Sequence, residues 1–472
     1  MIARTLACLS ALLASGIAPA AAQIAHAAVL KRQSSYDWRA VAGPTEIPMS
    51  KDTTNLQMMS RTPEFATDSI SQIRVAFPNF FIGSSGWPDS GANAQPGNTA
   101  TVTASIEYPA GTCAVLKFSG SSSGTIANGS FIVSDALSIS IPNGAQFWVR
   151  EFTTTPSGAT VFGDNSGTDA GHYDAADGEK VIAAASGLTD YTSSCTAPNS
   201  WTGSDYGYPR KPIAVLGWTQ HPAVCLIGDS RTRGAGDLTT GSYLPSNHWG
   251  QLDRWVGATF GTINLGANGD RAGDAVSDSA HFLNRGALLQ YCTHAVFAYG
   301  INDINAHSAS SANVESYFNT MQSMYDSTHR LVWYVATVYP YANFCPGGVL
   351  FSDSSGTGGY TPAQKEAQRL TYNTDARAVS ISGQDGVVDI DAVVAESPWP
   401  GWTGGSFGAY AGCYATTTDT GLSRNTTSDG LHLLASGTYF VANAFLNAPG
   451  TFAGVKKPKP MFCTDKAGAY RC

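Results

Sequence analysis

The chain has 472 residues, too many for one ordinary domain, so the sequence predicts about two to three units that each bury a core. Charged residues make up only 13% of the sequence and glycine reaches 50 residues, which is typical of a loop-rich protein that contains β-structure. The net charge of -8 is spread along the chain without a basic stripe. This pattern excludes the usual class of nucleic-acid-binding proteins.

The N-terminus has the pattern of a secretory signal peptide. Arg4 precedes an apolar run that ends in the small residues Ala20 to Ala22. The run is too short to span a membrane as a helix, although an uncleaved anchor is the alternative, and no later segment is long and apolar enough to span one. We therefore expect residues 1–22 to be removed and the mature protein to be secreted or periplasmic.

The cysteine count indicates disulfides. Nine cysteines include one in the signal segment, and the even number that remains is typical of an oxidising compartment. The pairs that we expect are Cys463 with Cys472 and Cys345 with Cys413. Cys225 and Cys292 lie in or beside strand-like runs, which leaves buried free thiols as the alternative for these two. No CxxC pair occurs, so a zinc site has no support from cysteine.

From residue 36 to residue 204 the sequence is strand-like. Short β-branched and aromatic runs such as "TATVTASIEY" and "AQFWVREFT" alternate with Gly, Ser, Asn and Pro, which predicts an all-β accessory domain, a sandwich or jelly roll, over 36–204. Residues 192–210 are the expected linker. The loop from Asp164 to Asp177 carries four aspartates, but their spacing departs from a calcium-loop motif, so we expect a solvated loop.

From residue 212 onward, strands alternate with helices. "AVCLIGD", "TINLG", "HAVFAYG", "RLVWYVATV" and "GVVDI" are apolar strands. A helix opens at Thr361 with a capping box and ends near Arg377. The helix in "SANVESYFNTMQSMYDS" places four apolar side chains on one face: Val314, Tyr317, Met321 and Met324. The alternation predicts an α/β domain with a parallel sheet over 212–447, followed by a tail over 448–472.

The strand ends of this domain supply the parts of an acyl-transfer site. Ligand sites of parallel sheets form beyond the carboxyl ends of the strands, where Ser230, Gly266 and Asn302 follow the first three strands. Ser230 is the candidate nucleophile, His432 its base, and Asp429 the acid that orients the imidazole. The backbone N–H groups of Ser230 and Gly266 and the Asn302 amide are the candidate oxyanion donors.

Four blocks of this region together resemble the SGNH (GDSL) hydrolase family. They are "IGDSRTRG", "NLGANG", "YGINDI" and "DGLHLLASG", and they occur in the family's order over about half of the chain. The resemblance implies a flavodoxin-like three-layer α/β/α domain, a catalytic triad of Ser230, Asp429 and His432, an oxyanion hole of Ser230, Gly266 and Asn302, and no cofactor or metal. "SRTRG" departs from the sequence that many members have after the nucleophile. A segment from Val133 to Arg150 resembles, more weakly, the β-domain that precedes the catalytic domain in some secreted members.

Other residues near the site have two interpretations each. Arg231, Trp399 and Trp402 are candidate substrate contacts, while a solvent-facing arginine and tryptophans that pack a long loop onto the sheet are the alternatives. Two G-x-S-x-G matches do not fit a nucleophile elbow, which needs a strand before it and a helix after it. Gly120–Gly124 is followed by a strand-like run, and Gly404–Gly408 lies in a Gly-rich loop without a strand before it.

These observations predict a secreted serine esterase that removes acyl groups from a polysaccharide. One alternative is a lipase or short-chain carboxylesterase that acts on small lipophilic esters. Another is a carbohydrate-binding surface protein with a vestigial hydrolase domain. The expected partners are an acylated polysaccharide or a small ester, without nucleic acid or a membrane span, and the sequence does not indicate an oligomeric state.

Overall fold

The structure is a computed structural model that describes residues 33–83, 88–91, 94–163, 172–208, 210–237, 248–328, 330–339, 360–394, 431–433, 437–438, 441–442 and 445. Its first fifteen strands are β1 (Asp37–Ala40), β2 (Ala42–Gly43), β3 (Ser50–Asp52), β4 (Gln57–Ala66), β5 (Ile70–Asn79), β6 (Ala100–Glu107), β7 (Cys113–Val115), β8 (Gly124–Ile126), β9 (Ser130–Val133), β10 (Leu137–Ile141), β11 (Gln146–Thr154), β12 (Thr160–Phe162), β13 (Lys180–Ala184), β14 (Ser204–Asp205) and β15 (Ala214–Thr219). A 3₁₀ turn covers Pro198–Ser200.

These strands form antiparallel sheets, which we call the β-unit. One sheet has the order β1-β15-β5-β10 with β9 on β5, and a second has the order β14-β13-β4-β11-β6-β7 with β2 on β4 and β8 on β6. Strands β3 and β12 pair separately. Strand β15 falls inside the range expected for the catalytic domain, yet it pairs with β1 and β5 of the β-unit. The expected linker is anchored as well, because buried Arg210 donates to Glu151 at 2.7 Å.

The rest of the described chain forms the α/β-unit. Its elements are β16 (Ala223–Gly228), α1 (Ser230–Arg233), α2 (Gln251–Val256), β17 (Gly261–Asn264), α3 (Ala272–Ser277), α4 (Leu283–Leu288), a 3₁₀ turn (Leu289–Tyr291), β18 (His294–Ala298), α5 (Ile301–His307), α6 (Ser311–Tyr325), β19 (Val332–Ala336), α7 (Pro362–Arg377), β20 (Gly386–Val388) and α8 (Ile390–Val394). The five strands lie in the order β17-β16-β18-β19-β20, and every neighbouring pair is parallel.

Both faces of the parallel sheet are covered, which explains why most positions of its strands are apolar. Along β16, Val224 and Leu226 point to one face and Cys225 and Ile227 to the other. The first face packs against α2 and Phe445, and the second against α6, α7 and the β-unit. The carboxyl ends of β16, β17 and β18 therefore meet at one edge of a largely buried sheet.

The two units share one hydrophobic core. Ala40, Phe80 and Leu216 of the β-unit belong to the same buried cluster as Phe297 and Trp333 of the α/β-unit. The backbones also approach closely, because a Cβ placed on Gly261 of β17 would lie 2.1 Å from the Ala40 carbonyl oxygen of β1. Strand β17, which leads to the loop that carries Gly266, thus rests directly on the β-unit.

The structure decides one open alternative and corrects one expectation about packing. Cys225 and Cys292 are not free thiols but form a disulfide, since their Cα atoms lie 5.7 Å apart, and a second disulfide joins Cys113 to Cys195. The α6 face is also shifted: Val314 and Met321 are buried as expected, whereas Met324 is 39% exposed and Phe318 takes its place in the core. The two disulfides expected from the sequence lie outside the described residues.

The opening of α7 follows the predicted capping box. Thr361 Oγ1 accepts the Gln364 N–H at 3.3 Å, and Gln364 Oε1 accepts the Thr361 N–H at 2.8 Å. Among the helices that the structure describes, none combines the length and the apolar character needed to cross a bilayer.

Candidate functional site

A tight turn at the end of β16 presents Ser230. Asp229 is the N-cap of α1, and its Oδ1 accepts the Arg231 N–H at 2.9 Å. The turn needs glycine at position 228, because a Cβ there would lie 2.1 Å from Thr232 Oγ1 and 2.9 Å from the Ala298 carbonyl oxygen. Ser230 is consequently the first helical residue after a buried strand, and it is 6% exposed.

Ser230 and His432 are joined across about two hundred positions of sequence. His432 Nε2 lies 2.8 Å from Ser230 Oγ, which is hydrogen-bond distance. An imidazole in this position can take the hydroxyl proton as the oxygen attacks a carbonyl carbon. Asp429, the expected third member of the triad, lies outside the described residues, as do Trp399 and Trp402.

Arg231 holds the loop that carries His432. Its Nε donates to the Leu431 carbonyl oxygen at 3.1 Å and its Nη1 to the Tyr339 carbonyl oxygen at 2.6 Å, while the guanidinium lies 3.7 Å from the centroid of the Tyr339 ring. The side chain is buried rather than solvent-facing. Arg233 is also buried, and it donates to the Ile47 carbonyl oxygen at 2.8 Å and pairs with Glu46 of the β-unit.

Two buried carboxyl groups lie beneath the site. Burial raises the pKa of Asp229 to about 6, against the opposing effects of Arg231 and His432. Asp229 Oδ2 accepts no hydrogen bond from the described residues. Burial likewise raises the pKa of Asp303 to about 6, although this carboxyl group accepts N–H bonds from Ala272 and Gly273. Asp303 therefore braces the loop after β17.

The expected oxyanion donors differ in their availability. The Ser230 N–H has no acceptor in the described part of the chain. Asn302 Nδ2 donates to the Asp270 carbonyl oxygen at 2.9 Å, which uses one of its two hydrogens and leaves the other. The Gly266 N–H, in contrast, donates to Asn264 Oδ1 at 3.0 Å.

Gly266 and Gly269 have different structural tasks. A Cβ on Gly266 would lie 2.5 Å from the Arg233 nitrogen, so this glycine allows the β17 loop to pack on α1. Gly269 has φ +74°, and among the described residues its N–H has no acceptor. It directly precedes Asp270, the residue that holds the Asn302 amide. The Asn268-Gly269 dipeptide, a turn signal, was the feature of the sequence that could have indicated this second glycine.

Neither of the competing sequence features forms a site within the described chain. Gly120 lies in a turn and Gly124 begins β8, without a following helix, while Gly404–Gly408 lies outside the described residues. In the acidic loop, Asp174 accepts the Asp177 N–H at 3.1 Å, while residues 164–171 are not described. One group of three potential metal ligands comes together in the described chain, and two of its members are the disulfide-bonded Cys113 and Cys195.

Known structures of hydrolases are among those to which this fold is similar. A peptidoglycan O-acetylesterase structure is 11% identical, with 89% of this chain and 78% of that chain covered and a TM-score of 0.33. A lipase/acylhydrolase from Enterococcus faecalis is 19% identical over 50% of this chain and 99% of that one, with a TM-score of 0.32. A family 3 carbohydrate esterase from Clostridium thermocellum is 16% identical over 48% of this chain and 94% of that one, with a TM-score of 0.27.

No family model matches the sequence, and no curated protein matches it either.

Proposed function

We propose that this chain is a serine esterase of the SGNH class. The observation that carries the proposal is the 2.8 Å hydrogen bond between Ser230 Oγ and His432 Nε2 at the carboxyl end of the first parallel strand. A nucleophile and its base in contact at this edge of the sheet are what acyl transfer needs. The four sequence blocks that resemble the family supply the residues of this same edge.

The reaction has two steps. Ser230 Oγ attacks the ester carbonyl carbon as its proton passes to His432 Nε2, and the tetrahedral intermediate expels the alcohol, which takes that proton. Water then attacks the acyl-serine with His432 as base, which releases the carboxylic acid and restores Ser230. Asp429 is the proposed partner of His432 Nδ1, where it keeps Nε2 free to accept the serine proton.

The oxyanion needs donors that are free to bind it. The Ser230 N–H and the second Asn302 amide hydrogen meet that requirement. As the third donor we assign the Gly269 N–H rather than the Gly266 N–H expected from the sequence, because the latter already donates to Asn264 Oδ1. One such donor typically lowers the barrier by roughly 3 kcal/mol.

The proposed substrate is an acylated polysaccharide that carries small acyl groups such as acetate. The signal-peptide pattern and the neutral composition support an enzyme that is exported to such a substrate. Two disulfides within the described chain are compatible with an oxidising compartment. The proposed fold of the α/β-unit is the flavodoxin-like three-layer arrangement, supported by the five parallel strands with side chains packed on both faces.

The experiment compares wild type with Ser230→Ala on acetylated glycans, p-nitrophenyl acetate and medium-chain esters. We expect wild type to release acetate and Ser230→Ala to lose at least about three orders of magnitude in kcat, because no other group supplies the nucleophile. Equal rates for the two proteins would refute the role of Ser230. Turnover of medium-chain esters alone would replace the glycan with a lipophilic substrate, and no turnover of any ester by folded wild type would favour a binding protein.

A further inference from the structure

A carboxylate of the β-unit reaches into the α/β-unit. Asp89, in the segment between β5 and β6, is fully buried. Its Oδ1 accepts the Asn284 N–H at 2.9 Å, and its Oδ2 accepts the N–H and the Nε of Arg285 at 2.8 and 3.1 Å. Asp89 thus holds both the backbone and the side chain of Arg285 in helix α4.

Arg285 connects Asp89 to Asp270, which lies in the loop between β17 and α3. Its side chain is completely buried, and its Nη1 donates to Asp270 Oδ2 at 2.5 Å. The guanidinium therefore lies between two buried carboxyl groups, Asp89 on one side and Asp270 on the other. A charged group in this position is fixed by both partners, since a buried charge that loses one of them is strongly unfavourable.

The carboxylate of Asp270 has several hydrogen-bond partners, and its main-chain oxygen binds the Asn302 amide. Its carboxylate accepts the Tyr299 hydroxyl at 2.6 Å and lies 2.5 Å from His281 Nε2. Although burial raises the pKa of Asp270, the contacts with Arg285, His281 and Tyr299 outweigh it and keep the pKa below its ordinary value. The main-chain oxygen of Asp270 accepts Asn302 Nδ2 at 2.9 Å. Because the amide is planar, fixing one N–H also fixes the direction of the other.

We propose that Asp89 is a positioning residue of the esterase, which orients the Asn302 oxyanion donor through Arg285 and Asp270. The inference rests on the proposed function, because it assigns a task within the same site. It gives the β-unit a part in the reaction: one of its carboxylates fixes a donor that lies on the α/β-unit. An oxyanion donor acts in the transition state, so a misdirected Asn302 amide lowers kcat and leaves KM nearly unchanged.

A double-mutant cycle on kcat tests this chain of contacts. Asp89→Asn keeps the size of the side chain and an acceptor oxygen but removes the charge that faces Arg285. We expect it to lower kcat about tenfold with little change in KM, and Asn302→Ala to lower kcat about a hundredfold. In the Asn302→Ala background, Asp89→Asn should have no further effect on kcat, because the donor that it positions is gone.

Ser90→Ala is the matched control. Ser90 lies next to Asp89, and its Oγ donates to the Ala280 carbonyl oxygen at 2.7 Å, in the segment that precedes α4. Within the described chain, Ser90 makes no hydrogen bond to Arg285. We expect this variant to keep wild-type kcat while its melting temperature falls. If Ser90→Ala lowers kcat as much as Asp89→Asn does, the loss of kcat comes from weaker packing of the Asp89–Ser90 segment on the α/β-unit, and the proposal is overturned.

Two further results decide against the inference. One is that Asp89→Asn lowers kcat by the same factor in wild type and in Asn302→Ala. The other is that Asp89→Asn alone leaves kcat unchanged. Either result would show that Asp89 does not act through Asn302. Should Asp89→Asn fail to fold, Tyr299→Phe replaces it in the cycle, because this variant loses only the hydroxyl bond to Asp270. If the effects of Tyr299→Phe and Asn302→Ala on kcat are additive, Asp270 does not orient the Asn302 amide, and the proposed role of Asp89 is refuted. Inactivity of wild type itself on every ester would instead refute the proposed function.

Discussion

At Asp229 a requirement of the site conflicts with stability. The carboxyl group caps α1 through Oδ1, while Oδ2 is buried without a hydrogen bond from the described residues. Burial raises its pKa to about 6, so its folded-state pKa lies above the unfolded value of about 3.9. The carboxylate is therefore destabilising above both values, yet in the proposed reaction its negative charge lies near the ring of His432, which gains a proton as Ser230 attacks.

Replacing Asp229 with Asn should separate these two effects. Asn Oδ1 can still accept the Arg231 N–H, and the buried charge disappears. The gain in unfolding free energy relative to wild type should be absent below pH 4, grow between pH 4 and pH 6 and stay constant above, with an upper limit of about 3 kcal/mol. Urea unfolding at pH 4, 6 and 8 measures this gain.

The same variant should hydrolyse esters more slowly, by about tenfold in kcat, because His432 loses a nearby negative charge. A gain in stability that does not depend on pH would show that the pKa of Asp229 is the same in the folded and the unfolded state. Unchanged kcat would show that the charge of Asp229 does not act on His432.

At the scale of residues, the sequence could predict that Ser230 and His432 meet in a candidate site, but not which side chains position them. Ser230 and His432 are recognisable because their blocks follow strand and loop signals. Arg231 and Asp89 are not, since a charged residue in a polar stretch has no pattern that indicates burial. Their tasks depend on distant partners: Arg231 contacts Leu431, and Asp89 contacts Arg285.

At the scale of elements, helix α6 shows where periodicity succeeds and where it stops. The sequence predicts the helix and the burial of Val314 and Met321, but two faces that differ by one residue fit its apolar positions nearly equally well. In the structure Phe318 is the buried residue. Its ring lies edge-on to the rings of Phe297 and Trp333, with centroid distances of 5.2 Å and 5.8 Å. Met324 is left 39% exposed.

Two substitutions on α6 test this choice. Phe318→Ala should lower the free energy of unfolding by about 3 to 5 kcal/mol, because it leaves a cavity between the helix and β18 and β19. Met324→Ala, on the same helix, should change it by less than about 0.5 kcal/mol. Chemical denaturation of both variants measures the difference. A larger loss at Met324 than at Phe318 would show that the face expected from the sequence is the buried one.

At the scale of the whole molecule, the boundary between the units could not be read from composition. The change from Gly-rich strands to alternating strands and helices is real, but β15 follows the expected linker and still pairs inside the β-unit. Its Leu216 contributes to the core that the α/β-unit also uses. A linker-like composition therefore indicates an exposed connection between domains only if no strand after it pairs with the sheet before it, as β15 does here.

The shared core predicts that the two units unfold together. Ala40, Phe80 and Leu216 would lose their apolar contacts if the α/β-unit unfolded alone, and the buried pair of Arg233 with Glu46 would leave a charge without its partner. We expect one transition on heating, with far-ultraviolet circular dichroism and tryptophan fluorescence coincident, and a calorimetric enthalpy equal to the van't Hoff value. Glu46→Gln, which removes one charge of the pair, should lower the melting temperature of that single transition. Two separated transitions in wild type, or a loss confined to one of them in Glu46→Gln, would show that the β-unit and the α/β-unit are thermodynamically independent.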